Sequence, residues 1–100
     1  MVLDQNKILA ELAMHAEQLE QRFQVKQIGL FGSYVHQTET NNSDIDILVD
    51  FIIPTFDNYM NLKFYLEDLF DRDVDLVMRD SLKPRLRPYI LQEVQYAQRL

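Results

Sequence analysis

The segment Ile28-Gly29-Leu30-Phe31-Gly32-Ser33 is followed, after ten intervening residues, by Asp44-Ile45-Asp46-Ile47-Leu48-Val49, and the expected fold is built around this pair. Strands disfavour aspartate, and a carboxylate taken out of water is costly. Two aspartates in one of the most apolar segments of the chain therefore need something to offset their desolvation.

The run Ile45 to Ile53 is too apolar for an edge strand with a solvated face, and Pro54 stops it, which predicts a central strand. Upstream, Val25 to Phe31 reads as a strand that ends at Gly32-Ser33, and the polar Tyr34 to Ser43 stretch reads as a connection. From Asp4 to Phe23, Ile8, Leu9, Leu12, Ala16, Leu19 and Phe23 recur at spacings of three and four, predicting one amphipathic helix. Downstream, Thr55 to Asn58 offers helix caps, and Leu62, Tyr65, Leu66, Leu69 and Phe70 form a second helical stripe. Asp73 to Met78 is a short third strand. Pro84 and Pro88 bracket the start of a last helix with Ile90, Leu91, Val94 and Ala97 on its core face. The expected order is α-β-β-α-β-α, an α+β unit with helices packed on a small mixed sheet.

Composition narrows the functions open to such a unit. One hundred residues, 47% of them hydrophobic, suffice for a single domain spanning 1–100 with one core. A net charge of -6 argues against a surface that tracks nucleic acid directly. With no cysteine and two isolated histidines, a metal here is expected to be held by oxygen. No apolar run approaches the roughly 20 residues that span a bilayer, so no membrane contact is expected and the cytoplasm is the expected location.

Within that frame the acids acquire a role. Side chains alternate along a strand, so Asp44 and Asp46 point to one face, about 6.5 to 7 Å apart along the chain. Such a pair can share magnesium ions, which take oxygen ligands and keep positions open for substrate phosphates. Asp75, between Val74 and Leu76, is a third carboxylate in apolar surroundings, and it converges on the pair if the third strand lies beside the second. Three carboxylates are enough to hold two ions about 3.5 to 4 Å apart for an in-line displacement. Gly32-Ser33 suits the other end of the substrate, because the turn lets backbone approach closely and its N–H groups and hydroxyl can donate to phosphate. The alternative, in which Ser43-Asp44 closes the loop and Asp46 faces water, is outweighed by the presence of Gly32-Ser33 and Asp75.

The segment GSYVHQTETNNSDIDILV, residues 32–49, resembles the GS-x10-DxD signature of the DNA polymerase β-like nucleotidyltransferases. VDLV around Asp75 resembles the strand bearing their third carboxylate. The likeness runs through LRPYILQEV, and the size is similar to that of the minimal nucleotidyltransferases. It implies a polymerase β-like fold in which Gly32 and Ser33 contact the triphosphate of ATP, Asp44 and Asp46 bind two magnesium ions, and Asp75 helps activate an acceptor hydroxyl. Minimal members are commonly antitoxins paired with a HEPN-domain ribonuclease toxin, and some transfer AMP to a toxin tyrosine. The resemblance thus implies a magnesium- and ATP-dependent protein adenylyltransferase that neutralises a HEPN toxin in a hetero-oligomer. A non-catalytic binding antitoxin and a small-molecule nucleotidyltransferase are the alternatives. Many relatives carry an arginine and a glycine soon after Gly-Ser, where this chain has His36 and Gln37, and a glycine where it has Asp71.

Other residues are assigned lesser parts. Asp73 shares the parity of Asp75 but sits next to Arg72, where a solvated salt bridge is the commoner fate. Asp50 lies about 13 Å beyond Asp46, too far for the same ion. Lys83, Arg85 and Arg87 form a small basic cluster, His15 and His36 are expected at the surface, and Tyr34 is expected to make backbone contacts. A protein acceptor is expected because the phosphate site consumes nearly all of the chain, leaving no lid or second domain to enclose a small one.

Overall fold

The computed structural model describes residues 3–98. Among the described residues four strands form one sheet in the order β3-β2-β1-β4: β1 Val25–Phe31, β2 Ile45–Phe51, β3 Val74–Met78 and β4 Gln95–Tyr96. β1 is antiparallel to β2 and β4, while β2 and β3 run parallel. β2 is central, as its apolar run predicts, and the reason is visible on both faces. Ile45, Ile47, Val49 and Phe51 pack on one side against helices α1 Gln5–Met14, α2 Ala16–Phe23 and α4 Phe56–Phe70, through Ile8, Leu12, Leu19, Phe23, Leu62 and Leu66. On the other side Leu48 joins Phe31, Leu82 and Val94 under helix α5 Arg87–Glu93. That second cover is partial. It leaves Asp46 and Asp50, the neighbours of Leu48 on the same face, half-buried.

Several expected boundaries are corrected. The single helix Asp4 to Phe23 is two helices broken at His15, whose ring Nδ1–H and backbone N–H both donate to Glu11 O, at 2.8 and 3.1 Å. The ring thereby ends the first helix, while the His15 carbonyl starts the next by accepting from Leu19. His15 is accordingly half-buried, edge-on to Tyr65, rather than at the surface. β2 ends at Phe51, and Ile52 and Ile53 are exposed. The connection after Gly32 opens with a helical turn, α3 Ser33–His36, which buries Tyr34 in the main core. α5 stops at Glu93, so Val94 caps it and Ala97 leaves the helix to donate its N–H to Ile28 O. Tyr96 is likewise in β4, not on a helix. Gly29 permits this approach, since a Cβ there would stand 2.8 Å from Val94 Cγ2 and 2.9 Å from Gln95 O. The order observed is therefore α-α-β-α-β-α-β-α-β, with a 3-10 turn at Arg79–Ser81 before α5.

Caps follow ordinary chemistry. Asp4 accepts from Lys7 N–H, and Thr55 accepts from Asn58 N–H at the start of α4. Gln37 and Asp71 both lie in the left-handed region, with φ of 60° and 52°. Glycine reaches that region without steric penalty, whereas a side chain there is strained.

Candidate active site

The site forms where the end of β1 meets the starts of β2 and β3. Phe31 stands opposite Asp46 in the antiparallel ladder, and Asp46 stands opposite Asp75 in the parallel one. Neighbouring strands lie about 4.8 Å apart, so the register alone brings the last two carboxylates together on the sheet face that α5 leaves open. Asp44 precedes β2 on the same parity and is exposed, and Asp75 is exposed as well. The expectation that Asp75 is embedded in apolar surroundings is corrected. Val74 and Leu76 are buried on the helix side, while the aspartate between them faces solvent.

Gly32 sets the approach of the β1 turn to Asp46. Its φ of +75° lies outside the range side chains favour, and a Cβ there would stand 2.1 Å from Asp46 Oδ2. Glycine is thus required twice over, by the backbone and by the carboxylate beside it. The Ser33 backbone N–H donates to Asp46. Ser33 Oγ is buried without a hydrogen-bond partner, one of two such side-chain atoms among the described residues, the other being Arg79 Nε.

The electrostatics of Asp46 follow from this crowding. Burial pushes its pKa from 3.8 up to about 6, the negative charge of Asp75 and a hydrogen bond to that residue push the same way, and Asp44 adds a smaller repulsion. The Ser33 N–H opposes the rise. A carboxylate held near two others and away from water is stabilised by a cation. Among the described residues no three acidic or imidazole side chains already close into a metal cage. The set is instead a pair, Asp46 and Asp75, with Asp44 at its side. Its donors are all carboxylate oxygens, the chemistry that magnesium takes, and open positions are what such an ion needs for substrate phosphates. The residues fit the ion.

The structure brings Gly32, Ser33, Asp44, Asp46 and Asp75 to one end of the sheet, with β3 beside β2 as the convergence of the three acids requires, and shows what holds them there. Glu67 of α4 accepts from Val74 N–H and fixes the start of β3. Arg72 donates to Tyr34 Oη and Asn41 O rather than pairing with Asp73. Asp73 stays exposed and contributes its backbone carbonyl to Ile45 N–H. A groove of ≈ 550 Å³ opens beside Asp44, bounded by Asn42, Glu67, Arg72 and Asp73. His36 is exposed, as expected, yet pairs with Glu93 of α5. Asp50 lies outside the site, in a second groove with Arg79.

Comparison with known proteins gives a consistent picture. Residues 12–97 match the family described as nucleotidyltransferase domain. The chain is 44% identical over 96 residues to protein adenylyltransferase MntA of Thermococcus cleftensis, covering 95% of this chain and 97% of that one. A crystal structure of a toxin–antitoxin with AMP-PNP superposes with a TM-score of 0.69 at 27% identity, covering 88% of this chain and 73% of that one. The crystal structure of a mutant MntA–HpeT toxin–antitoxin gives 0.66 at 27% identity, over 98% and 75%.

Proposed function

Because the chain belongs to the nucleotidyltransferase domain family, we propose that it is an antitoxin of the minimal nucleotidyltransferase kind, transferring AMP from ATP to a tyrosine hydroxyl of a HEPN-type ribonuclease toxin in the cytoplasm. The observation that carries the reading is the register of Asp46 opposite Asp75 beside a glycine turn that no side chain could occupy. The relative named protein adenylyltransferase and the toxin–antitoxin structure with AMP-PNP support the substrate and the class of partner.

The residues divide the work of the reaction. Ser33 Oγ, buried and unpartnered, donates to a phosphate oxygen of ATP. Asp44, Asp46 and Asp75 would hold two magnesium ions, which neutralise the triphosphate and make the acceptor hydroxyl more acidic. Asp75, the exposed member of the facing pair, meets the incoming hydroxyl and takes its proton. The bond formed joins the tyrosine oxygen to the α-phosphorus, the bond broken joins that phosphorus to the β-phosphate oxygen, and pyrophosphate leaves. AMP on the toxin adds bulk and negative charge where RNA must bind. The toxin docks with its acceptor tyrosine over the open sheet face, and the net charge of -6 favours a partner with a basic surface.

The test is label transfer from α-labelled ATP to the purified toxin by wild type and by the double variant Asp44→Asn/Asp46→Asn. Transfer by wild type alone is expected. Equal transfer by both would remove the carboxylates from the chemistry, and neutralisation without any transfer would establish a binding antitoxin instead.

A further inference from the structure

The turn that carries Ser33 is too short to hold itself. A four-residue helix closes hardly any internal hydrogen bonds and depends on tertiary ties for its position. Val35 packs on the main core, and two polar ties are added to it. One is Tyr34, buried in the core with its hydroxyl accepting from Arg72. The other is His36, the last residue of α3, whose Nε2 pairs with the Glu93 carboxylate. Glu93 is itself in an unexpected place. It is the last residue of α5, where the helix dipole disfavours a negative charge, and its side chain is only 22% exposed. A hydrogen-bond donor placed against the carboxylate offsets part of both penalties, and His36 Nε2 is the donor the structure gives it.

The consequence reaches the phosphate turn through the backbone. His36 N–H donates to Gly32 O and Thr38 N–H to Ser33 O, so α3 moves as a unit with the residues that face Asp46. Glu93 is followed by Val94, which packs against Gly29 and Phe31 at the second face of the sheet. The His36–Glu93 pair therefore anchors the phosphate turn to α5, which is itself seated on the strand that leads into that turn. Without it, α3 keeps Tyr34 and Val35 on the core side but has no tie to α5, and the Ser33 N–H and hydroxyl lose their aim. We infer that His36 and Glu93 act together as positioning residues for nucleotide binding, orienting the Gly32-Ser33 turn toward the triphosphate. The inference rests on the proposed use of ATP and adds to it two residues that touch neither metal nor acceptor.

The experiment measures binding of AMP-PNP with magnesium by calorimetry, and KM for ATP and kcat for transfer, in wild type, His36→Gln, Glu93→Gln, the double variant and His36→Arg. His36 is 59% exposed and Glu93→Gln is nearly isosteric, so the variants are expected to fold, which their melting curves verify. Each single loss should weaken AMP-PNP binding and raise KM about tenfold with kcat within about threefold, the signature of lost ground-state positioning. The double variant should be no worse than either single, because one pair is broken in all three. His36→Arg keeps a donor facing Glu93 and should restore most of the affinity. Unchanged affinity in the single variants, additive losses in the double, or failure of His36→Arg to rescue would each overturn the inference. Absence of AMP-PNP binding by wild type would overturn the functional reading and this inference with it.

Discussion

Gly32→Ala is the substitution whose consequence the geometry determines most closely. The added Cβ would lie 2.1 Å from Asp46 Oδ2 and 2.8 Å from its Cγ, where real Cβ atoms essentially never come within 3.0 Å. Relief requires the Asp46 carboxylate or the turn to shift by about 1 Å, and a displacement of that size at a reacting centre costs about 10²-fold in rate. The backbone adds its own penalty. Gly32 has φ 75° and ψ -146°, a region open essentially to glycine, so a side chain there costs about 1–3 kcal/mol of stability. The shift also separates the Ser33 N–H from Asp46 and misaligns Ser33 Oγ. The assay is transfer of label from α-labelled ATP to the toxin at saturating magnesium, together with a denaturant melt. Transfer should fall about 10²-fold while the protein stays folded with a lowered midpoint. A folded Gly32→Ala protein with wild-type transfer would show that the approach of this turn to Asp46 is irrelevant to the chemistry.

Three other outcomes follow from single features. Asp75→Asn should keep AMP-PNP binding but lose most transfer, whereas Asp73→Asn, exposed and off the pair, should transfer like wild type; the reverse result would reassign the third acid. The pKa of Asp46 is raised by burial and by Asp75, so the folded protein disfavours its charged form; that part of the stability is full below the ordinary carboxylate range and is lost as pH rises through about 6. Without metal, wild type should therefore lose more stability than Asp46→Asn between pH 5 and about 7.5, and magnesium at the higher pH should restore wild type selectively; equal losses in both proteins would contradict the rise assigned to burial and to Asp75. Asp71→Gly, at φ 52°, should stabilise the protein by about 1 kcal/mol in denaturant melts without changing transfer, and a loss of stability would mean the Asp71 side chain makes a contact worth more than the strain.

The parts of this protein that the sequence discloses are those written in periodicity and parity. β1, β2 and β3 stand out because apolar runs end at Gly32-Ser33, at Pro54 and after Met78. The shared face of Asp44 and Asp46 follows from alternation alone. The pairing of Asp46 with Asp75 does not, since register depends on how two strands meet; the sequence offered it only as a condition on the third strand lying beside the second. Exposure was misread for a related reason. Apolar neighbours show that Val74 and Leu76 face a core, but not that the opposite face is uncovered at that end. α3 and β4 escaped because four and two residues carry no periodic signal, and the helix break at His15 arises from a side-chain hydrogen bond to Glu11. The His36–Glu93 tie joins residues 57 positions apart, and no local pattern points to it.

The most direct test of the account is the intact mass and ribonuclease activity of the toxin after incubation with this protein, ATP and magnesium, followed by separation of the two chains under conditions that preserve folding. The toxin should be heavier by one or more AMP units, should lose that modification when Asp46→Asn replaces wild type, and should stay inactive after the antitoxin has been removed. A separated toxin of unchanged mass and full activity would contradict it.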